Sequence, residues 1–272
     1  MKTFSSTCSG SRNRDRLQPP RSTWTIYRNE VQRALRTAGQ SILAPVLTTS
    51  LYFVVFGSAI GSHMDRSVVG MNYAAFIVPG LLMLTLLSES TQNASFGIYM
   101  PRFTGAIYEL LSAPVGVAET LLGFVGAAAT KSLVLAAIIL TVSRFFFVDY
   151  SIAHPVYVLL FIILISASFS LFGFIIGVWA DSFDKLGAIP MLFLMPLTFL
   201  GGTFYSVDNL AEPWRSVAMA NPVVYLVNGL RWCFYGTSDF PIGLSLGIAC
   251  GFVALCVLVI ARIFATGWRI RT

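Results

Sequence analysis

Residues 155–179 read PVYVLLFIILISASFSLFGFIIGVW, a run without a single charged side chain. A helix of that length rises 1.5 Å per residue and crosses a hydrocarbon layer of ~30 Å. Five more stretches of similar character lie around it, at about 42–62, 73–95, 119–142, 187–206 and 241–264. The composition agrees: 56% of the 272 residues are hydrophobic and 11% charged, against roughly 25% charged in a soluble domain. With a mean hydropathy of +0.76, lipid must be the solvent. The fold class expected is an all-α integral membrane protein with six transmembrane helices. Pro190, Pro196 and Gly201–Gly202 fall within the fifth stretch and predict a broken or kinked helix there.

Outside the spans, residues 1–22 read as a disordered basic cytoplasmic tail, and 23–270 as the six-span domain. No cleavable signal peptide is expected, because the first apolar run begins only near Ser41. Residues 23–39 read as an amphipathic helix lying on the membrane surface. Trp24, Tyr27, Val31, Ala34, Leu35 and Ala38 share one face, with Ile26 the misfit. Basic residues fix the orientation. The N-terminal segment (Lys2, Arg12, Arg14, Arg16, Arg21, Arg28, Arg33, Arg36), Arg102, Lys185, Arg262, Arg269 and Arg271 fall on one side. Arg66, Arg144, Arg215 and Arg231 fall on the other, so both termini are expected in the cytoplasm.

Two loops are long. Residues 96–118 on the cytoplasmic side have room for a short helix between Pro101 and Pro114. Residues 207–240 on the external side are split by Pro213-Trp214 and Asn221-Pro222 into two short apolar pieces, which are expected to dip back into the bilayer as re-entrant helices. Among ionisable residues in the spans, Glu89 lies amid Ser88, Ser90, Thr91, Gln92 and Asn93. It either lines a translocation path, sits near the cytoplasmic headgroups, or bonds to a neighbouring helix. Lys131 is expected to snorkel, or the third span to begin later.

Several chemistries lack their residues. No GxxxxGK[ST] loop, HExxH, GxSxG or water-facing carboxylate pair occurs, so the chain does not read as an enzyme. Cys8, Cys233, Cys250 and Cys256 form neither CxxC nor Cys/His pairs, and no metal site is expected. His63 and His154 stand at loop ends, where a solvated histidine is ordinary. No internal repeat supports an inverted-repeat carrier.

Three motifs carry a resemblance. FIVPGLL (76–82) opens the second span, ELLSAPV (109–115) follows in the cytoplasmic loop, and PLTFLGGTFYSVDNLAEPWRSVAMANPVVYLVNGLRW (196–232) covers the end of the fifth span and the external loop. In this order, with six spans and a surface helix in front, the chain resembles the type-2 ABC export permeases over about residues 24–270. That family includes nodulation-factor, polysaccharide and daunorubicin-type exporters.

The resemblance implies a permease dimer, an identical second chain in preference to a different one, in the bacterial inner membrane. It implies two copies of a separate P-loop ATPase that bind ATP and Mg, with no cofactor in this chain and no nucleic-acid partner. The loop around 102–114 would be the coupling helix: Tyr108, Leu110 and Leu111 as apolar anchors, Arg102 and Glu109 as polar contacts, Pro101 and Pro114 as its ends. An amphipathic drug, lipid-like or glycan substrate would move along the dimer interface, lined by span one (Thr48, Thr49, Tyr52), span two (Glu89, Gln92, Asn93) and span five (Thr198, Phe199). Phe204, Tyr205 and Trp214 would gate the exit. An ion-gradient-driven secondary transporter is the alternative, and it predicts more intramembrane carboxylates. A membrane-embedded lipid enzyme would need a clustered nucleophile, base or metal site.

Overall fold

The computed structural model describes residues 19–60, 73–105 and 116–266. Most of the tail expected to be disordered, His63 and Arg66 of the loop expected outside, and Tyr108, Glu109, Leu110, Leu111 and Pro114, expected to couple to an ATPase, lie outside the described residues.

The described chain is helical throughout its spans. Helix α1 (Pro19–Arg36) meets α2 (Ala38–Val54) at a 60° bend, and α2 runs on as π-helical turns over Val55–Ile60. A single turn, α3 (Tyr73–Phe76), leads into α4 (Val78–Thr104). Then come α5 (Val117–Phe146), α6 (Pro155–Trp179), and a broken fifth span. That span consists of α7 (Phe183–Ile189), π-helical turns over Pro190–Leu194 and α8 (Met195–Leu200). Two short helices, α9 (Trp214–Met219) and α10 (Pro222–Tyr235), precede α11 (Ile242–Thr266). Among the described residues five helical segments are long and apolar enough to cross a membrane, or six where the bent α1–α2 pair counts as one span.

The α6 limits coincide with the uncharged run of the sequence. Elsewhere the boundaries move. The second span does not end at 95: α4 continues through Pro101 to Thr104 and stops at Gly105, whose φ of 80° is a left-handed cap. Pro101 therefore lies inside a helix instead of starting one. The fifth span ends at Leu200, because Gly202 turns the backbone at φ 74°, so Phe204 and Tyr205 lie beyond it. The irregularity expected from Pro190 and Pro196 takes the form of the π-helical turns.

Helix α1 uses a face rotated from the one read in the sequence. Trp24 and Leu35 are exposed. Ile26, the apparent misfit, sits over Gly123 of α5, where a Cβ would come within 2.7 Å of its Cγ2. Tyr27 adds a 3.0 Å hydrogen bond to Thr130 of the same helix. Helical spacing alone cannot tell a face that meets protein from one that meets lipid.

The core is built from α4, α5, α6 and α10, around Leu81, Leu82, Leu86, Phe161, Ile165 and Leu230. Helices α4 and α6 approach so closely that a Cβ on Gly173 would lie 2.3 Å from the Thr91 carbonyl oxygen. One on Gly177 would lie 2.5 Å from the carbonyl oxygen of Ser95. Small residues allow this backbone approach, the usual way membrane helices gain packing without a hydrophobic driving force.

Candidate functional site

A cavity of about 610 Å³ lies between α2, α4 and α5. Helix α2 supplies Ser41, Pro45, Thr48, Thr49 and Tyr52; α4 supplies Thr85, Ser88, Glu89, Gln92 and Asn93. Lys131 comes from α5 and Met195 from α8, while Arg33 of α1 stands at one end. Thr48 and Thr49 are consecutive, and Tyr52 follows one turn later. Glu89, Gln92 and Asn93 stand at i, i+3 and i+4, so each group falls on one helix face. Pro45 cannot donate to the carbonyl four residues before it, leaving one acceptor free of the α2 ladder.

A ladder of polar contacts joins the cavity walls. Lys131 Nζ lies 3.2 Å from Glu89 Oε2, with the two side chains 11% and 18% exposed. One residue further along both helices, the Ser90 and Ser132 hydroxyls are 2.8 Å apart. Across the cavity Thr49 and Thr85 share a hydrogen bond of 3.0 Å, and Thr85 also donates to the Leu81 carbonyl. Lys131 thus neither snorkels nor starts the third span. It stands midway along α5 and finds its counter-charge on the adjacent helix, a shorter route to compensation than either interface. Of the alternatives for Glu89, the bond to a neighbouring helix is the one seen, and its side chain also lines the cavity.

At the α1 end, Arg33 makes a 2.6 Å ion pair with Glu30 and donates to the Asn93 carbonyl at 3.3 Å. Burial pushes the Glu30 carboxyl above its ordinary range, although the Arg33 charge pulls the other way. At the opposite end the Tyr52 ring meets Phe204 edge-on at 6.3 Å. Phe204 also stacks on Phe56 at 4.5 Å and lies 5.4 Å from Phe199. The rings of Tyr52, Phe56, Phe199 and Phe204 therefore stand as one aromatic group at that end.

Short helix α10 is held inside the protein. The Asn221 side chain accepts from the Val223 N–H as an N-cap and donates to the Leu197 carbonyl at 2.6 Å. Arg231 is only 6% exposed. It donates to the carbonyls of Gly202 and Tyr205 and lies 4.0 Å over the Phe76 ring. Counted in the sequence as an external loop charge, Arg231 instead fastens α10 to the turn after the fifth span. Its place among the apolar residues of VVYLVNGLRWCFY was the available signal, since a guanidinium there must find acceptors.

With this geometry in view, the comparisons with known proteins decide the family. The model of the "ABC-2 type transporter" family matches residues 21–235. The chain belongs to the ABC-2 type transporter family. It is 34% identical over 248 residues to the inner membrane transport permease YadH of Escherichia coli K12, covering 91% of this chain and 96% of that one. It is 23% identical over 245 residues to nodulation protein J of Azorhizobium caulinodans, covering 89% and 95%. The same protein of Rhizobium meliloti is 23% identical over 239 residues, covering 85% and 89%.

Within this family member, the pathway residues named from sequence separate into two sets. Thr48, Thr49, Tyr52, Glu89, Gln92 and Asn93 line the one cavity. Thr198 is buried against its own helix, donating to the Leu194 carbonyl at 2.6 Å, and Phe199 belongs to the aromatic group; Met195 represents the fifth span in the cavity instead. Of the gate residues, Phe204 joins the aromatic group and Tyr205 gives its carbonyl to Arg231, while Trp214 is 59% exposed on α9. Arg102 donates to the Gly177, Val178 and Ala180 carbonyls at 2.9, 2.6 and 3.3 Å, capping the end of α6. Lys131, Arg33 and Arg231 had no assigned role in the sequence. Pairing across spans leaves no trace in residue spacing.

Proposed function

We propose that this chain is the membrane permease subunit of an ABC exporter, and that its substrate crosses through the cavity between α2, α4 and α5. The observation that carries the reading is the convergence of six polar or amphipathic side chains from two separate spans on one cavity of about 610 Å³, in a chain of the ABC-2 type transporter family. A cavity of that size holds a drug-sized or lipid-like molecule. Its mixture of hydroxyls, amides and apolar groups (Leu84, Phe96, Met100) suits an amphipathic one.

In this reading both termini face the cytoplasm and α1 borders the cytoplasmic mouth. The aromatic group of Phe204, Phe56, Phe199 and Tyr52 closes the outer end until the transporter turns outward. A separate P-loop ATPase, two copies per complex, supplies the ATP and Mg chemistry. It engages the segment after α4, where Tyr108, Glu109, Leu110, Leu111 and Pro114 lie. Arg102 ties the end of α4, from which that segment leaves, to the end of α6, so a push on it reaches two spans at once. A second copy of the permease packs along the apolar stripe of α2 (Leu43, Leu47, Leu51, Val54), each side chain about half exposed or more. The inner membrane is the membrane in which it works, as the name of the Escherichia coli relative supports.

The test is affinity purification of the tagged chain from native membranes. A P-loop ATPase should co-purify with ATPase activity, and both should be lost when Tyr108, Glu109, Leu110 and Leu111 become Ala in a chain that still folds. Purification of the chain alone, unaffected by those changes, would overturn the reading in favour of an ion-coupled carrier.

A further inference from the structure

The charges around the cavity are matched one to one. Of the three that line it, Arg33 is paired with Glu30 at 2.6 Å, and Lys131 with Glu89 at 3.2 Å. The remaining polar lining is uncharged: Thr37, Ser41, Thr48, Ser88, Gln92 and Asn93 among it. The Glu89–Lys131 pair differs from the Arg33–Glu30 pair in its place. It joins two spans near their middles, where a lone charge has little water to turn to.

Any headgroup that enters beside this pair has to compete with it. An anion would satisfy Lys131 and leave Glu89 without a partner; a cation would do the reverse. An unpartnered ionised group at low exposure costs more than the pair it replaces. A headgroup carrying both an acceptor and a donor satisfies both ends and exchanges one ion pair for two charge-assisted contacts.

We infer that the Glu89–Lys131 pair is the headgroup recognition point of the cavity, and that it selects amphiphiles of zero net charge whose headgroup presents a donor beside an acceptor, against anionic ones. The inference rests on the exporter reading for its biological setting, but the selectivity belongs to the chain alone. Gln92 adds to the same surface: its amide nitrogen donates to Ser88 at 3.2 Å and leaves its carbonyl oxygen available.

The experiment is a competition measurement on the purified full-length chain in nanodiscs, with a fluorescent single-chain amphiphile displaced by lysophosphatidylethanolamine, an alkyl glucoside or lysophosphatidylglycerol of matched chain length. The wild-type chain should prefer a net-neutral competitor to the anionic one by roughly tenfold. The zwitterion and the glucoside tell whether the donor and acceptor are charged groups or hydroxyls. Glu89→Gln leaves Lys131 alone and should reverse the preference toward lysophosphatidylglycerol, whereas Lys131→Met should deepen the rejection of it. The double variant carries no unpaired charge, so it keeps the claim testable if a single variant fails to fold; it should lose discrimination in either direction.

Equal or tighter binding of lysophosphatidylglycerol by the wild-type chain, or a preference untouched in the double variant, would overturn the inference. ATP-dependent transport in inverted vesicles separates the two claims. Transport without Glu89-dependent selectivity removes the recognition point and spares the exporter. Selectivity without ATP-dependent transport does the opposite.

Discussion

The two faces of α4 are built on opposite rules. On one side α4 meets α6 and α10 through glycine-mediated backbone contacts and large apolar side chains, and no room is left between them. On the other it meets α2 and α5 through Thr49–Thr85, Glu89–Lys131 and Ser90–Ser132, around an open cavity. Burial follows the same division. In their most apolar 18-residue stretches the second and fourth spans (α4 and α6) are 72% and 61% buried, the third (α5) only 33%. Packed interfaces resist deformation, whereas single polar contacts beside a cavity can be exchanged for contacts with a ligand or with water. The α4–α6–α10 packing, with the core face of α5, is thus the frame, and the polar contacts around the cavity are the part free to rearrange.

The division can be broken first from the frame side. Gly173→Leu would drive a side chain into the Thr91 backbone and should cost about 3 kcal/mol or more, seen as a large fall in thermal unfolding temperature or as loss of folded yield. If Gly173→Leu folds with an unchanged melting temperature, the frame is not tightly packed. Arg231→Met removes the donor from the Gly202 and Tyr205 carbonyls and should cost about 2–3 kcal/mol. Increased protease cutting near α10 would accompany it.

On the cavity side the effects on stability should be smaller. Glu89→Gln or Lys131→Met alone should cost about 1–2 kcal/mol, and the double variant less than the sum, because the second change removes the charge stranded by the first. A double-mutant cycle with no coupling would dissolve the pair. Smallest of all, Trp214→Ala should alter stability by less than about 0.5 kcal/mol, since its ring lies mostly in the open on α9. A larger fall in melting temperature would place Trp214 in the frame.

The same division explains what the sequence could disclose. Spans were legible because length and absence of charge are local properties, and α6 runs from Pro155 to Trp179 as its composition predicts. Of the eight residues named from sequence for the substrate pathway, Thr48, Thr49, Tyr52, Glu89, Gln92 and Asn93 line the cavity, while Thr198 and Phe199 do not. Partners were not. Lys131 meets Glu89 across 42 positions, and Arg231 reaches carbonyls in a turn that Gly202 creates. Pro101 misled for a related reason: its missing N–H takes the helical donor from the Gly97 carbonyl alone, a local loss that did not stop α4 from running on to Gly105. The face of α1 was displaced because Ile26 finds a hollow above Gly123, a match that exists only once both helices are assembled.

The most direct test of the cavity as the route of transport is to fill it without touching the frame. Thr48 lines the cavity on the exposed side of α2, so Thr48→Trp should occupy the space. The control, Leu258→Trp, places the same indole ring on the exposed surface of α11. ATP-dependent transport should be measured in proteoliposomes containing the permease and its co-purifying ATPase. The account predicts that Thr48→Trp abolishes transport while the ATPase subunit stays bound, and that Leu258→Trp transports as the unaltered chain does. Wild-type transport by Thr48→Trp would contradict it.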